Sequence, residues 1–173
     1  MDKAALAHEV SNHLLLLEQQ LRSFVANAQA KTFRSAIHNL YYAAFNATCA
    51  LLASKGIRVE SHDGAQSMLA LHFVKPGVLR RDTTSKLNDL MSKRHAADYK
   101  GEIYVGADEV SLYRPWVIDF VKASLALIKK TGLKVDASAV DAAAERASLV
   151  KIEESGNDPG GKPPRPGIRT GLK

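Results

Sequence analysis

The chain has 173 residues, a formal net charge of +6 and an apolar fraction of 46%, which suit one globular domain with an appendage. Its single cysteine, Cys49, excludes an internal disulfide and a cysteine-rich zinc site. The most apolar stretch, residues 43–53, is about half the roughly 20 residues that a membrane-spanning helix needs. The first residues also lack the pattern of a secretory signal, so we expect a cytoplasmic protein without a membrane span.

The first part of the chain predicts two long amphipathic helices. Apolar residues recur at three- and four-residue spacing from Asp2 to about Ala30, and again from Phe33 to Lys55-Gly56. The second helix also carries a polar row at about four-residue steps, formed by Arg34, His38, Tyr42 and Asn46. This row either binds a phosphate or a base, or it is the solvated face of an ordinary helix.

Two shorter helices are predicted next. Ser61 is expected to cap the third helix, which stops near Lys75 because Pro76-Gly77 follows. The fourth helix is expected to begin at a cap among residues 83–85 and to end at Gly101, before a brief extended piece at residues 102–106.

A fifth helix is indicated by the composition of residues 108–130, although Pro115 lies inside this range. Either the helix begins near Arg114, with Pro115 in its first turn, or the proline kinks it. The pattern as a whole predicts an all-α protein, an up-and-down bundle of about five helices over residues 1–135. Residues 136–154 predict an alanine-rich accessory helix.

Residues 155–173 are rich in Gly and Pro and show no apolar period, which predicts a flexible, disordered tail. The tail has four basic residues against Asp158, and therefore holds half of the net charge of +6. It is either an arm that binds nucleic acid or a solubilising extension.

The segment 93–99 places a charged pair on one face of the fourth helix. Arg94 continues the apolar stripe of Leu87 and Leu90, and Asp98 follows four residues later. Because a buried charge is costly unless it is paired, Arg94 and Asp98 form either a structural ion pair or the floor of an anion site. The histidine spacings fit no metal site and there is no phosphate-binding glycine loop, so no metal and no cofactor are expected.

Five motifs, in this order, resemble a bacterial and archaeal branch of the HEPN family over about residues 34–130. They are LYYAAF at 40–45, ALL through KG at 50–56, SHDG at 61–64, LHFVK at 71–75, and NDL with R through ADY at 88–99. The resemblance implies a helical bundle that is often dimeric. It also implies frequent pairing with small nucleotidyltransferases in toxin–antitoxin or defence systems, and several branches of the family are metal-independent ribonucleases.

The sequence departs from the ribonuclease branches at the proton-transfer position. Those branches place a histidine shortly after the arginine, where this chain has Tyr99. His95 is adjacent to Arg94 and points about 100° away on a helix, so it is a poor substitute. The related branch also commonly has arginine and histidine where this chain has Asn39 and Asn46.

We therefore expect a module that lacks full ribonuclease activity and binds a nucleotide, RNA or a partner protein. The expected ligand-binding residues are Arg94, Asp98, Tyr99, Tyr42, His38, Arg34 and His62. One alternative is a ribonuclease toxin, with Arg94, His95 and Tyr99 as catalytic candidates, and another is a structural oligomerisation bundle. A homodimer is expected because Tyr41, Tyr42 and Phe45 offer more aromatic surface than a monomer of five helices needs to cover.

Overall fold

A computed structural model describes residues 2–99 and 105–153 of the chain. Those residues form six α-helices: α1 (Lys3–Gln29), α2 (Phe33–Ala53), α3 (His62–Leu69), α4 (Thr83–Tyr99), α5 (Ala107–Lys130) and α6 (Ser138–Leu149). A π-helical segment, Ala70–Val74, extends α3. The described part of the chain contains no strand, so the predicted all-α bundle is confirmed.

The helices α1 and α2 form the hairpin around which the bundle is built. Lys31, in a left-handed conformation with φ 58°, makes the turn between them. The apolar stripe of α1 is buried against α2, and α2 in turn packs against α3, α4 and α5. Each fully buried leucine of this core, such as Leu17, Leu21 or Leu40, stabilises the fold by about 1.5–3 kcal/mol relative to an exposed one.

Amide side chains join α1 to α2 beside this apolar core. Asn39 is only 8% exposed, accepts a hydrogen bond from Asn27 at 2.8 Å and donates one to Gln20 at 2.9 Å. Asn46 is also buried and donates to the backbone carbonyl of Tyr42 at 2.8 Å. Buried amides need such partners, so both asparagines have structural roles, and Asn46 does not extend the polar row of α2 to the surface.

The third helix begins as predicted, because the Ser61 hydroxyl accepts a hydrogen bond from the backbone N–H of Gly64 at 3.0 Å. It also ends near Lys75 as predicted. The final turn is a π-helix, in which Lys75 N–H donates to the carbonyl of Ala70, five residues earlier. No periodic signal in the sequence indicated this wider turn.

The start of α4 corrects the expectation of a cap among residues 83–85. The helix already includes Thr83, and the preceding Asp82 accepts the backbone hydrogen bond of Lys86 at 3.0 Å through its carbonyl. The Asp82 carboxylate is paired with Arg80 at 2.9 Å and Lys86 at 3.4 Å. The predicted end at Gly101 lies outside the described residues.

Helix α5 begins at Ala107, so the alternative that placed its start near Arg114 is wrong. The backbone N–H of Gly106 donates to the Glu109 carboxylate at 3.0 Å, which holds the first turn seven residues before Arg114. Pro115 therefore lies inside the helix, on its exposed side. Of the predicted extended piece, residues 102–104 lie outside the described part, and Val105 and Gly106 have no regular structure.

Helix α6 packs on α1 and α5 through buried small residues, which are Val140, Ala143, Ala144 and Ala147. The Arg114 guanidinium of α5 donates to the Val150 carbonyl at 2.5 Å just beyond this helix. The predicted tail falls outside the described residues, so its disorder and the predicted domain boundaries stay predictions. None of the described helices combines the length and apolar content needed to cross a bilayer.

Candidate functional site

Arg94 is the centre of a polar and aromatic cluster between α2, α3 and α4. Its Nε lies 2.8 Å from the Asp98 carboxylate one turn later, and the two side chains are 13% and 22% exposed. The Nε–H is not aligned for a hydrogen bond on that oxygen, so the contact is an ion pair. The predicted spacing of the pair on one face of α4 is confirmed, at the rim of the bundle rather than deep inside it.

Aromatic rings surround the Arg94 guanidinium. Its central carbon lies 5.3 Å from the ring centre of Tyr42, 5.7 Å from that of Tyr41 and 5.9 Å from that of Tyr99. One terminal nitrogen also donates to the Tyr42 hydroxyl at 3.2 Å. Cation–π contacts operate within about 6 Å, so the rings and the hydroxyl fix the guanidinium without neutralising its charge.

His38 of α2 binds the same carboxylate as Arg94. Its Nδ1 lies 3.1 Å from Asp98 Oδ2, and its side chain is 38% exposed. The His38 ring also lies 4.7 Å from the Tyr42 ring. Asp98 therefore holds a guanidinium and an imidazole side by side, one from each of two helices.

His62, at the start of α3, contacts the aromatic side chains of α2. Its Nδ1 is 2.6 Å from the Tyr41 hydroxyl, and its ring lies 4.2 Å from that of Phe45. Burial, followed by the charge of Arg94, lowers the pKa of His62, while burial raises the pKa of Tyr41 to about 12. Both side chains are consequently neutral at pH 7.

The structure brings together five of the seven expected ligand-binding residues, which are Arg94, Asp98, Tyr42, His38 and His62. Tyr99 lies at the edge of the cluster and is 71% exposed, with its ring 5.2 Å from that of the exposed His95. Arg34 is partly buried, one turn before His38 on α2.

Sequence reasoning missed Tyr41 and Phe45 as part of the cluster and assigned them only to a dimer surface. Tyr41 is 1% exposed, yet its hydroxyl reaches His62, and Phe45 supplies the ring against which His62 packs. Their sequence signal was limited to the aromatic pattern of α2. Nothing in that pattern could show that the start of α3 lies across from it.

The chain is similar to proteins of one known family. The HEPN domain model matches residues 18–113, which is more than half of the chain. A relative from Pyrococcus horikoshii, "UPF0332 protein PH1297", is 37% identical over 73 residues, 42% of this chain and 51% of that protein. A "UPF0332 protein" of Thermotoga maritima is 33% identical over 69 residues, 40% of this chain and 52% of that protein.

A third relative, from Methanocaldococcus jannaschii, is named "Putative toxin MJ0142" and is 28% identical over 123 residues, 69% of this chain and 84% of that protein. The alignments therefore span about half the length of the two UPF0332 relatives and most of the toxin-named one. Because the HEPN domain model matches residues 18–113 and the described residues form a helical bundle, the chain belongs to the HEPN domain family.

Proposed function

We propose that this chain is a toxin-like HEPN module that binds RNA at the Arg94 cluster. The observation that carries the proposal is the clustering around Arg94 and Asp98 of the Tyr41 and Tyr42 rings with two histidines from different helices. A guanidinium has five N–H donors, and the described contacts of Arg94 use Nε and one terminal nitrogen. The other donors suit a phosphate oxygen.

The aromatic side chains add a reason to favour RNA over a free anion. Proteins that bind single-stranded nucleic acid combine a basic group for the backbone with aromatic faces on which bases stack. Tyr42 and Phe45 are partly buried beside Arg94 and His62, so the cluster has both components within one small surface. The net charge of +6 favours the same class of partner.

The toxin part of the proposal is supported by similarity to the Methanocaldococcus jannaschii protein whose name describes it as a putative toxin. The HEPN resemblance further suggests a nucleotidyltransferase-type partner and a homodimer. If the chain is the toxin of such a pair, its expression alone should arrest growth. Co-expression of a neighbouring nucleotidyltransferase gene should then relieve the arrest. Normal growth under strong expression would contradict the toxin assignment.

Fluorescence anisotropy with a short labelled single-stranded RNA tests the binding site. Replacing Arg94 by Ala should weaken binding about tenfold or more, because a hydrogen bond to a charged group contributes about 1.5–3 kcal/mol. Arg22→Ala is the matched control, since Arg22 is 68% exposed on α1 and pairs with Glu18. Equal affinities of Arg94→Ala and wild type would show that RNA binds elsewhere.

A further inference from the structure

His38 and Asp98 have the geometry of a base and the carboxylate that orients it. The His38 Nδ1 and the Arg94 Nε both contact Asp98 Oδ2, at 3.1 Å and 2.8 Å. An ionised carboxylate only accepts hydrogen bonds, so the ring proton of neutral His38 is placed on Nδ1. Its Nε2 then keeps a lone pair that can accept a proton, on a ring that shares its carboxylate oxygen with Arg94.

We propose that this dyad supplies the proton-transfer group that α4 lacks, and that His38 acts as the general base of a metal-independent RNA cleavage. The inference rests on the proposed RNA binding at Arg94. It assigns the base to α2 rather than to any residue that follows Arg94 in the chain.

The step balances with RNA and water alone. His38 Nε2 takes the proton of a ribose 2′-hydroxyl, the 2′ oxygen bonds to the adjacent phosphorus, and the bond from phosphorus to the 5′ oxygen breaks. The leaving 5′ oxygen takes a proton from water, and His38 returns its proton to the hydroxide that remains. The products are a 2′,3′-cyclic phosphate and a 5′-hydroxyl end, while Arg94 stabilises the charge on the phosphoryl oxygens in the transition state.

The other two histidines near Arg94 fit this role less well. His62 is held by Tyr41 and packed on Phe45, and the neutral phenol fixes neither tautomer of the ring. His95 is exposed and contacts the Tyr99 ring. Among the described residues, His38 is the histidine whose ring nitrogen contacts a carboxylate oxygen.

The experiment follows cleavage of a short single-stranded RNA by full-length protein in the presence of a chelator, with the ends identified by mass spectrometry. The wild type should produce 2′,3′-cyclic phosphate ends. His38→Gln should cleave at least about 100-fold more slowly, which is the usual effect of removing a general base. Its RNA affinity should fall less than that of Arg94→Ala, and its melting temperature should match that of the control His8→Gln on the exposed side of α1.

Asp98 is a positioning residue in this scheme and gives a second readout. In Asp98→Asn no carboxylate orients the His38 ring, so kcat for cleavage should fall at least about tenfold while KM for the RNA stays close to that of the wild type. An unchanged kcat, or a rise in KM alone, would assign Asp98 a purely structural role and overturn the dyad.

Three results would overturn the proposal while leaving RNA binding intact. The first is RNA binding by the wild type without formation of 2′,3′-cyclic phosphate ends. The second is cleavage that stops when the chelator is added. The third is cleavage by His38→Gln at the wild-type rate. Loss of cleavage in His62→Gln with cleavage retained in His38→Gln would move the base to α3 and also overturn it. If the wild type does not bind RNA at all, the proposed function itself fails.

Discussion

Replacing Arg94 by Ala should destabilise the fold by about 2 kcal/mol and leave it folded. Removing one member of a fully buried ion pair costs about 3–5 kcal/mol, because the remaining charge is left without a partner. Here Asp98 keeps the His38 imidazole at 3.1 Å and is 22% exposed, so most of that penalty is avoided. The cost that remains is the bond to Tyr42, about 1 kcal/mol, and the ring contacts, about 1 kcal/mol together.

Thermal unfolding followed by circular dichroism measures this cost. For a chain of this size, 2 kcal/mol corresponds to a fall of about 4–8 °C in melting temperature. A protein that no longer folds, or a loss above about 4 kcal/mol, would show that Arg94 and Asp98 are a buried structural pair. The double variant Arg94→Ala/His38→Gln tests this reasoning. If His38 compensates for the loss of Arg94, His38→Gln should destabilise the Arg94→Ala protein more than it destabilises the wild type.

Other predictions concern features away from Arg94. Cys49 is 4% exposed, and burial raises the pKa of its thiol to about 12. A thiol reagent at pH 8 should therefore label the native protein far more slowly than the denatured protein, and equal rates would contradict the burial of Cys49. Light scattering at micromolar concentration should give the mass of a dimer, which the HEPN resemblance suggests, although Tyr41 is buried within the monomer and does not supply the expected aromatic surface. A strictly monomeric mass would refute the expected homodimer. Deleting residues 155–173 should leave the melting temperature almost unchanged and flatten the salt dependence of RNA binding; a large fall in melting temperature would show that the tail packs on the body.

The sequence predicted the structural features that depend on the spacing of residues within a single helix. The buried stripes of α1 and α2, the Ser61 cap and the pairing of Arg94 with Asp98 follow from spacing of three or four residues, and the structure has each of them. The start of α5 was left open between about residue 108 and Arg114, because the composition favoured the earlier start and Pro115 the later one, and the structure has the earlier start.

The contacts that make the site depend on how separate helices meet. His38 lies 60 residues from Asp98, and Tyr41 lies 21 residues from His62. Periodicity places each side chain on a face of its own helix but does not say which faces pack together. The sequence therefore identified most members of the cluster, whereas the sharing of one carboxylate by His38 and Arg94 required the packing of α2 on α4.

His13 should make the stability of the protein depend on pH. It lies on α1 with its Nδ1 buried and without a hydrogen-bond partner in the part of the chain that the structure describes. Burial lowers its pKa from the usual 6.5, and the opposing effects of Glu9 and Asn46 are smaller. The unfolded chain therefore binds a proton more readily than the folded one at mildly acidic pH. The stability due to the neutral ring is fully present above pH 6.5 and is lost as the pH falls from there through the lowered pKa.

The variant His13→Leu tests this pH dependence. Its melting temperature should fall less between about pH 7.5 and about pH 5.5 than that of the wild type. Part of the fall should remain in the variant, because the pKa of His62 is also lowered. His8→Gln, on the exposed side of the same helix, is the control and should behave as the wild type does. If His13→Leu loses as much stability on acidification as the wild type, the half-buried ring of His13 is not the source of the pH dependence.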